Sequence, residues 1–133
     1  MSGLRIGTDT DWVTIRNIGG YVTASLAEAR DVAVDYSLRG VSGRLNAAVW
    51  SFHETADLIE KLHAIAEGMI RFSTLDNDVI VQITKPINGP LRSVLEVRDI
   101  DADRMIARAE VELDRSSLPN FARTLRLEFP VSA

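Results

Sequence analysis

Two histidines, a run of alternating aspartates and a band of alternating Arg and Glu are the residues whose types and spacing could do chemistry here. His53 and His63 lie on a stretch with helical periodicity. Ten residues of helix rise about 15 Å, so the pair cannot share one metal ion. His53-Glu54 lacks the second histidine of a metalloprotease helix. His63 has Glu60 at i−3 and Glu67 at i+4, which predicts a rim imidazole paired with a carboxylate. Asp99, Asp101 and Asp103, with Glu110 at the twelfth position, reproduce the acidic skeleton of an EF-hand loop. Arg104 stands where that loop needs its sharp-turn glycine, and the flanks alternate like strands. An aspartate-rich hairpin turn is the expectation. The carboxylate pairs Asp31/Asp35 and Glu110/Glu112 fall on the solvent side of predicted strands, where nothing raises a pKa. No Gly-x-Ser-x-Gly elbow occurs, and Gly40-Val41-Ser42-Gly43 opens no helix that could bind phosphate. No catalytic residue, cofactor site or metal ligand is therefore assigned.

The Arg/Glu band is different, because its pattern specifies a surface. Leu91, Ser93, Leu95 and Val97 share one face of a strand, with Arg92, Val94, Glu96 and Arg98 on the other. Over 104–115, Met105, Ala107, Ala109, Val111 and Leu113 alternate with Arg104, Arg108, Glu110 and Glu112. A hairpin centred near Ala102 sets Glu96 opposite Arg108 and Arg92 opposite Glu112, predicting two ion pairs on the wet face. Arg92, Glu96, Arg98, Arg108, Glu110 and Glu112 are the candidate partner-binding residues, since complementary charge accelerates and selects association. Trp12 and Trp50 are the largest side chains available for recognition. Trp50 precedes a helix start and reads as core, whereas Trp12 is left open.

These residues need elements to hold them. Residues 50–68 form the organising element, a long amphipathic helix with Phe52, Ala56, Ile59, Leu62, Ala66 and Met69 on its apolar stripe. Ser51 and Glu54 make a capping box, Asp57 and Lys61 an outer i,i+4 pair, and Gly68 a left-handed stop. Residues 1–51 read as strands. Trp12 to Ile18 alternates up to a turn at Asn17-Ile18-Gly19-Gly20, and Val22, Ala24 and Leu26 share a face of the next strand. Val32, Val34, Tyr36 and Leu38 share another, before a turn at Arg39–Gly43 and a strand carrying Leu45, Ala47 and Val49. After the helix, Arg71–Leu75 meets Asp78–Lys85 across Asp76-Asn77, and Asn88-Gly89 signals a type I′ turn. Residues 117–129 form a short helix with Leu118, Phe121, Ala122, Leu125 and Phe129 inward and Pro119 in its first turn. No internal repeat is visible.

With 133 residues, 46% hydrophobic and 26% charged, the chain has the composition of one globular domain spanning 1–133. Cysteine is absent, which excludes disulfides and thiolate metal sites. The longest apolar run is Ala47–Trp50, far short of the ~20 residues of a membrane span. The N-terminus shows no basic flank followed by an apolar block, so the expected location is the cytoplasm. A net charge of −4 argues against nucleic acid. The expected fold class is α+β: an antiparallel β-sheet, either one curved sheet or two packed layers, with one long helix and one short C-terminal helix.

The order of these elements carries a resemblance. Strands Asp31–Leu38 and Leu45–Trp50 lead into the Phe52…Leu58-Ile59…Leu62 helix. Strand pairs follow, and the last runs through Asp114-Arg115-Ser116-Ser117-Leu118-Pro119 into a short helix. Over Asp31 to Phe129 this resembles a family of small bacterial proteins that includes WapI-type immunity proteins. The resemblance implies a non-enzymatic protein that neutralises a cognate toxin by binding it, and supplies no functional residues to transfer. Two other classes are expected alternatives: a small ligand-binding or hydrolytic enzyme with a pocket between helix and sheet, and a structural homo-oligomer that hides its sheet edges.

Overall fold

The computed structural model describes residues 3–21, 29–74, 78–99 and 101–128. Strands β1 (Leu4–Gly7), β2 (Trp12–Tyr21), β3 (Ala29–Leu38) and β4 (Val41–Ser51) run into helix α1 (Phe52–Ala64). Strands β5 (Gly68–Ser73), β6 (Val79–Lys85), β7 (Leu91–Asp99) and β8 (Arg104–Leu113) then run into helix α2 (Ser117–Glu128). Each set of four strands is an antiparallel sheet in sequence order. The fold is α+β with two sheets, as the alternation predicts. A repeat that the sequence hides is plain in the element order, which is four strands and a helix, twice.

Alternation decides which side of each sheet is buried. In the first sheet Leu4, Ile6, Val13, Ile15, Val32, Val34, Tyr36 and Leu38 point inward. In the second, Val79, Val81, Ile83, Leu91, Leu95 and Val97 do the same. These side chains join Ala56, Ile59 and Leu62 of α1 and Leu118, Phe121, Ala122 and Leu125 of α2 in one continuous cluster. Full burial of an Ile or Leu contributes about 1.5–3 kcal/mol, so this cluster dominates the favourable side of folding. The helices are interlocked: α1 packs on β5, α2 packs on β1, and the two helices pack on each other.

Several local expectations are corrected. The helix covers 52–64 rather than 50–68, because β4 continues through Trp50 to Ser51. Ser51 occupies the N-cap position, but its side chain and that of Glu54 lie outside the described residues, as does the Trp50 side chain. Gly68 is no left-handed stop: it is the first residue of β5, paired with Lys85. A Cβ there would meet the tip of the exposed Ile65 side chain, Cδ1 at 2.6 Å, which would have to turn aside. Ala66 and Met69 accordingly leave the apolar stripe and are exposed. Asp57 pairs with Arg126 of α2 at 3.5 Å instead of with Lys61.

Turns differ for similar reasons. β2 runs straight through Asn17–Gly20, where the ladder with β3 shifts register instead of turning. The strand expected at Val22–Leu26 lies outside the described residues, as do the Asp76-Asn77 turn and Phe129. The Arg39–Gly43 turn contracts to Arg39-Gly40, with φ of 50° and 84°, the doubly left-handed pattern of a two-residue hairpin. Arg39 is held there by its N–H, which donates to Asp11 Oδ1 at 2.6 Å. Conversely, Asn88-Gly89 sits in a wider connection from Pro86 to Pro90, and only Gly89 of the two has positive φ. That loop is gathered by Arg115 Nη1, which donates to the carbonyls of Pro86 (2.9 Å), Ile87 (3.4 Å) and Gly89 (3.0 Å). β1 is an addition that the sequence pattern does not single out.

What ends α1 is a cation from another strand. Lys85, 8% exposed on the inner side of β6, donates from Nζ to the carbonyls of Leu62 (3.3 Å), His63 (3.0 Å) and Ile65 (2.7 Å). All three ammonium donors are used, and they meet the negative end of the helix. Charge-assisted bonds of this kind are worth about 1.5–3 kcal/mol. Lys85→Met keeps the packing stem and removes the donors, and is expected to lower stability by about 2–3 kcal/mol in urea titration. A change under about 0.5 kcal/mol, the size of an ordinary surface substitution, would show that the cap is dispensable.

Candidate partner-binding face

The outward side of β7 and β8 follows from what they bury. Leu91, Ser93, Leu95 and Val97 are each 0% exposed, so Arg92, Val94, Glu96 and Arg98 must face out. The observed register pairs Arg92 with Glu112, Val94 with Glu110 and Glu96 with Arg108, as the hairpin reading predicts. All six candidate residues, Arg92, Glu96, Arg98, Arg108, Glu110 and Glu112, therefore share one face.

Their ion pairs are not the expected ones. Glu96 pairs with Arg98 at 3.5 Å and Arg108 with Glu110 at 3.6 Å, along the strands rather than across them. Residues two apart on a strand share a face, so Arg98 lies beside Glu96 on β7 and Glu110 beside Arg108 on β8, within reach of these pairs. Arg92 and Glu112, directly opposite each other, make no ion pair within 4 Å among the described residues. They flank a shallow depression of about 250 Å³ floored by Val94. Val94 was not among the candidate residues, although its place in the alternation marks it. Exposed pairs of this kind contribute only about 0.2–1 kcal/mol, so they can be exchanged for pairs with a partner.

The other candidate chemistry is placed less favourably. His63 is exposed and borders an open groove of about 530 Å³ between α1 and α2, with Pro119, Ala122, Arg123 and Leu127 along it. The expected pocket between helix and sheet is thus a groove between helices. Glu60, expected beside His63, instead binds Arg126 at 2.6 Å. The side chain of His53 lies outside the described residues. Asp99 ends β7, and Asp101, Ala102 and Asp103 lead into β8, where the Ala102 N–H donates to Asp99 Oδ1 at 3.2 Å and Asp103 has a φ of 49°. Strands flank this segment where an EF-hand needs helices, and no metal-holding group of three or more His, Asp or Glu occurs among the described residues.

With this geometry in place, the chain was compared with known proteins. No family model, curated protein or solved structure matches it. No helix among the described residues is long and apolar enough to cross a membrane.

One carboxylate is clearly perturbed on the first sheet. Asp35 accepts from Arg44 Nε at 2.6 Å and Arg16 Nη2 at 3.0 Å. The Arg44 hydrogen bond, opposed by partial burial and assisted by the charges of both arginines, holds its pKa below the usual carboxylate value. The partner carboxylate considered in sequence, Asp31, has its side chain outside the described residues. Because the folded pKa is lowered, Asp35 stabilises the fold above the ordinary carboxylate pKa of about 3.9, and this contribution is lost as pH falls through the lowered value. Asp35→Asn is expected to melt below the wild type at pH 7, with the gap closing on acidification below pH ~3. A gap that persists unchanged at low pH would contradict this assignment.

Proposed function

We propose that this chain is a non-enzymatic binding protein that contacts a protein partner through the outer face of β7 and β8, and that it acts as a bacterial cytoplasmic immunity protein neutralising a cognate toxin. The observation that carries the binding reading is the pair Arg92 and Glu112. They lie opposite each other on a sheet whose reverse side packs into the core, yet among the described residues neither has an ion partner. A rigid backbone presents both charges beside the Val94 depression, ready for opposite charges on another surface. The immunity role comes from the resemblance in strand and helix order. The enzymatic alternative rests on the groove at His63, and is second because Glu60, the carboxylate that would orient the imidazole, is bound to Arg126. The homo-oligomer is a third reading, checked by concentration-dependent mass.

The test is a pull-down from the native organism with the full chain and with Arg92→Glu/Glu112→Arg as bait. A toxin-like protein is expected on the wild-type bait and reduced at least tenfold on the charge-swapped one. Recovery of no such partner, or equal recovery on both baits, contradicts the proposal.

A further inference from the structure

The outer face of the first sheet is a second polar surface, and its charge is of a different kind. Register places Arg5, Thr14, Asp35 and Arg44 in one row across all four strands. Trp12 and Arg16 flank Thr14 along β2, on the same face, because Val13 and Ile15 between them are buried. Arg16 and Arg44 clasp the Asp35 carboxylate, and Arg5 stands apart at the β1 end of the row, over Trp12. The row thus carries three guanidiniums and one carboxylate, with Asp11 beside Trp12 at the neighbouring turn, on a chain whose net charge is −4.

Those guanidiniums hold donors that the fold does not use. Asp35 takes Arg44 Nε at 2.6 Å, Arg44 Nη2 at 3.5 Å and Arg16 Nη2 at 3.0 Å. Arg16 is committed to Asp35, and its Nε, which has no hydrogen-bond partner among the described residues, is buried away from any ligand. Arg44 keeps 55% of its side chain exposed. Arg5 lies with Cζ 4.6 Å from the centroid of the Trp12 ring, and among the described residues its one side-chain hydrogen bond is a 3.4 Å bond to the Thr8 carbonyl. Stacking of this kind fixes a guanidinium in place before a ligand arrives, which lowers the ordering cost of binding. Between the Trp12/Arg5 side and Arg44, the row from Trp12 crosses Ser37 and Ser42, both short. The result is a row of short side chains alongside the Arg5–Thr14–Asp35–Arg44 row, with a tryptophan and arginines, types enriched among the residues that dominate interface energetics, at its border.

We propose that this face docks a carboxylate-rich segment of a partner protein, with Arg5 and Arg44 receiving its carboxylates and Trp12 packing beside them. Planar guanidiniums match carboxylates in bidentate geometry. A nucleic acid strand presents comparable acceptors, but the net negative charge of the chain disfavours a long polyanion. The face is on the opposite sheet from Arg92 and Glu112, so it stands or falls independently of the β7–β8 reading.

The test titrates the full chain into a fluorescein-labelled decapeptide of alternating Glu and Thr, at low and high salt, with labelled oligothymidylate as the competing probe. Expected are saturable, salt-sensitive peptide binding and a loss of at least tenfold in Arg5→Gln/Arg44→Gln. The Arg92→Glu/Glu112→Arg variant should bind the peptide like the wild type. Circular dichroism melts check that each variant is folded. The absence of saturable peptide binding, or undiminished binding by Arg5→Gln/Arg44→Gln, overturns the proposal. So does tighter binding of oligothymidylate, which assigns the face to nucleic acid.

Discussion

A single ammonium group sits where the two halves of the chain meet. Lys85 belongs to the second sheet, and it closes a helix that grows out of the first. Lys85 is itself buried, and without those carbonyls its charge would stand unpaired in the interior. An unpaired polar group in such a place costs more than a hydrogen bond there gains. The position of α1 is therefore tied to the register of β5 and β6, because Lys85 stands opposite Gly68 in that ladder. α1 in turn supplies Ala56, Ile59 and Leu62 to the common cluster and a surface against which α2 packs.

From this follows the interlock. Each meander is followed by a helix that rests on the first strand of the other meander, and both sheets and both helices feed one cluster. The ion pairs of Arg126 with Glu60 and Asp57 decorate this junction, but at exposed sites they add little. Packing holds it. The consequence for function is a pair of sheets whose inner sides are fixed by a shared core and whose outer sides are free to carry charge. On the second sheet that charge is mixed, with Arg92 opposite Glu112. On the first it is concentrated in arginines around Asp35.

Features set by side-chain period were legible in the sequence. The burial of Leu91, Ser93, Leu95 and Val97, the Glu96–Arg108 register and the stripe Ala56–Ile59–Leu62 follow from spacing alone. Features set by distant partners were not. Gly68 resembles a helix stop, but the stop is made by Lys85. Asn88-Gly89 resembles a tight turn, yet Arg115 holds a wider loop. Glu96 stands opposite Arg108 as expected, yet its ion pair is with Arg98, its neighbour two residues along the same strand. The Arg5–Trp12 stack joins two strands and the Arg16–Asp35–Arg44 cluster three, and no local pattern announces them.

The central claim is that the two halves share one core and unfold as one unit, which is what keeps both faces rigid. The two tryptophans, Trp12 and Trp50, both lie in the first half. Tryptophan fluorescence therefore follows that half alone, while far-ultraviolet circular dichroism follows both. In equilibrium urea unfolding, a shared core gives coincident transitions with the same midpoint and slope by the two probes. A tryptophan transition displaced from the dichroism transition would mean that the halves unfold separately, and would contradict the interlocked core.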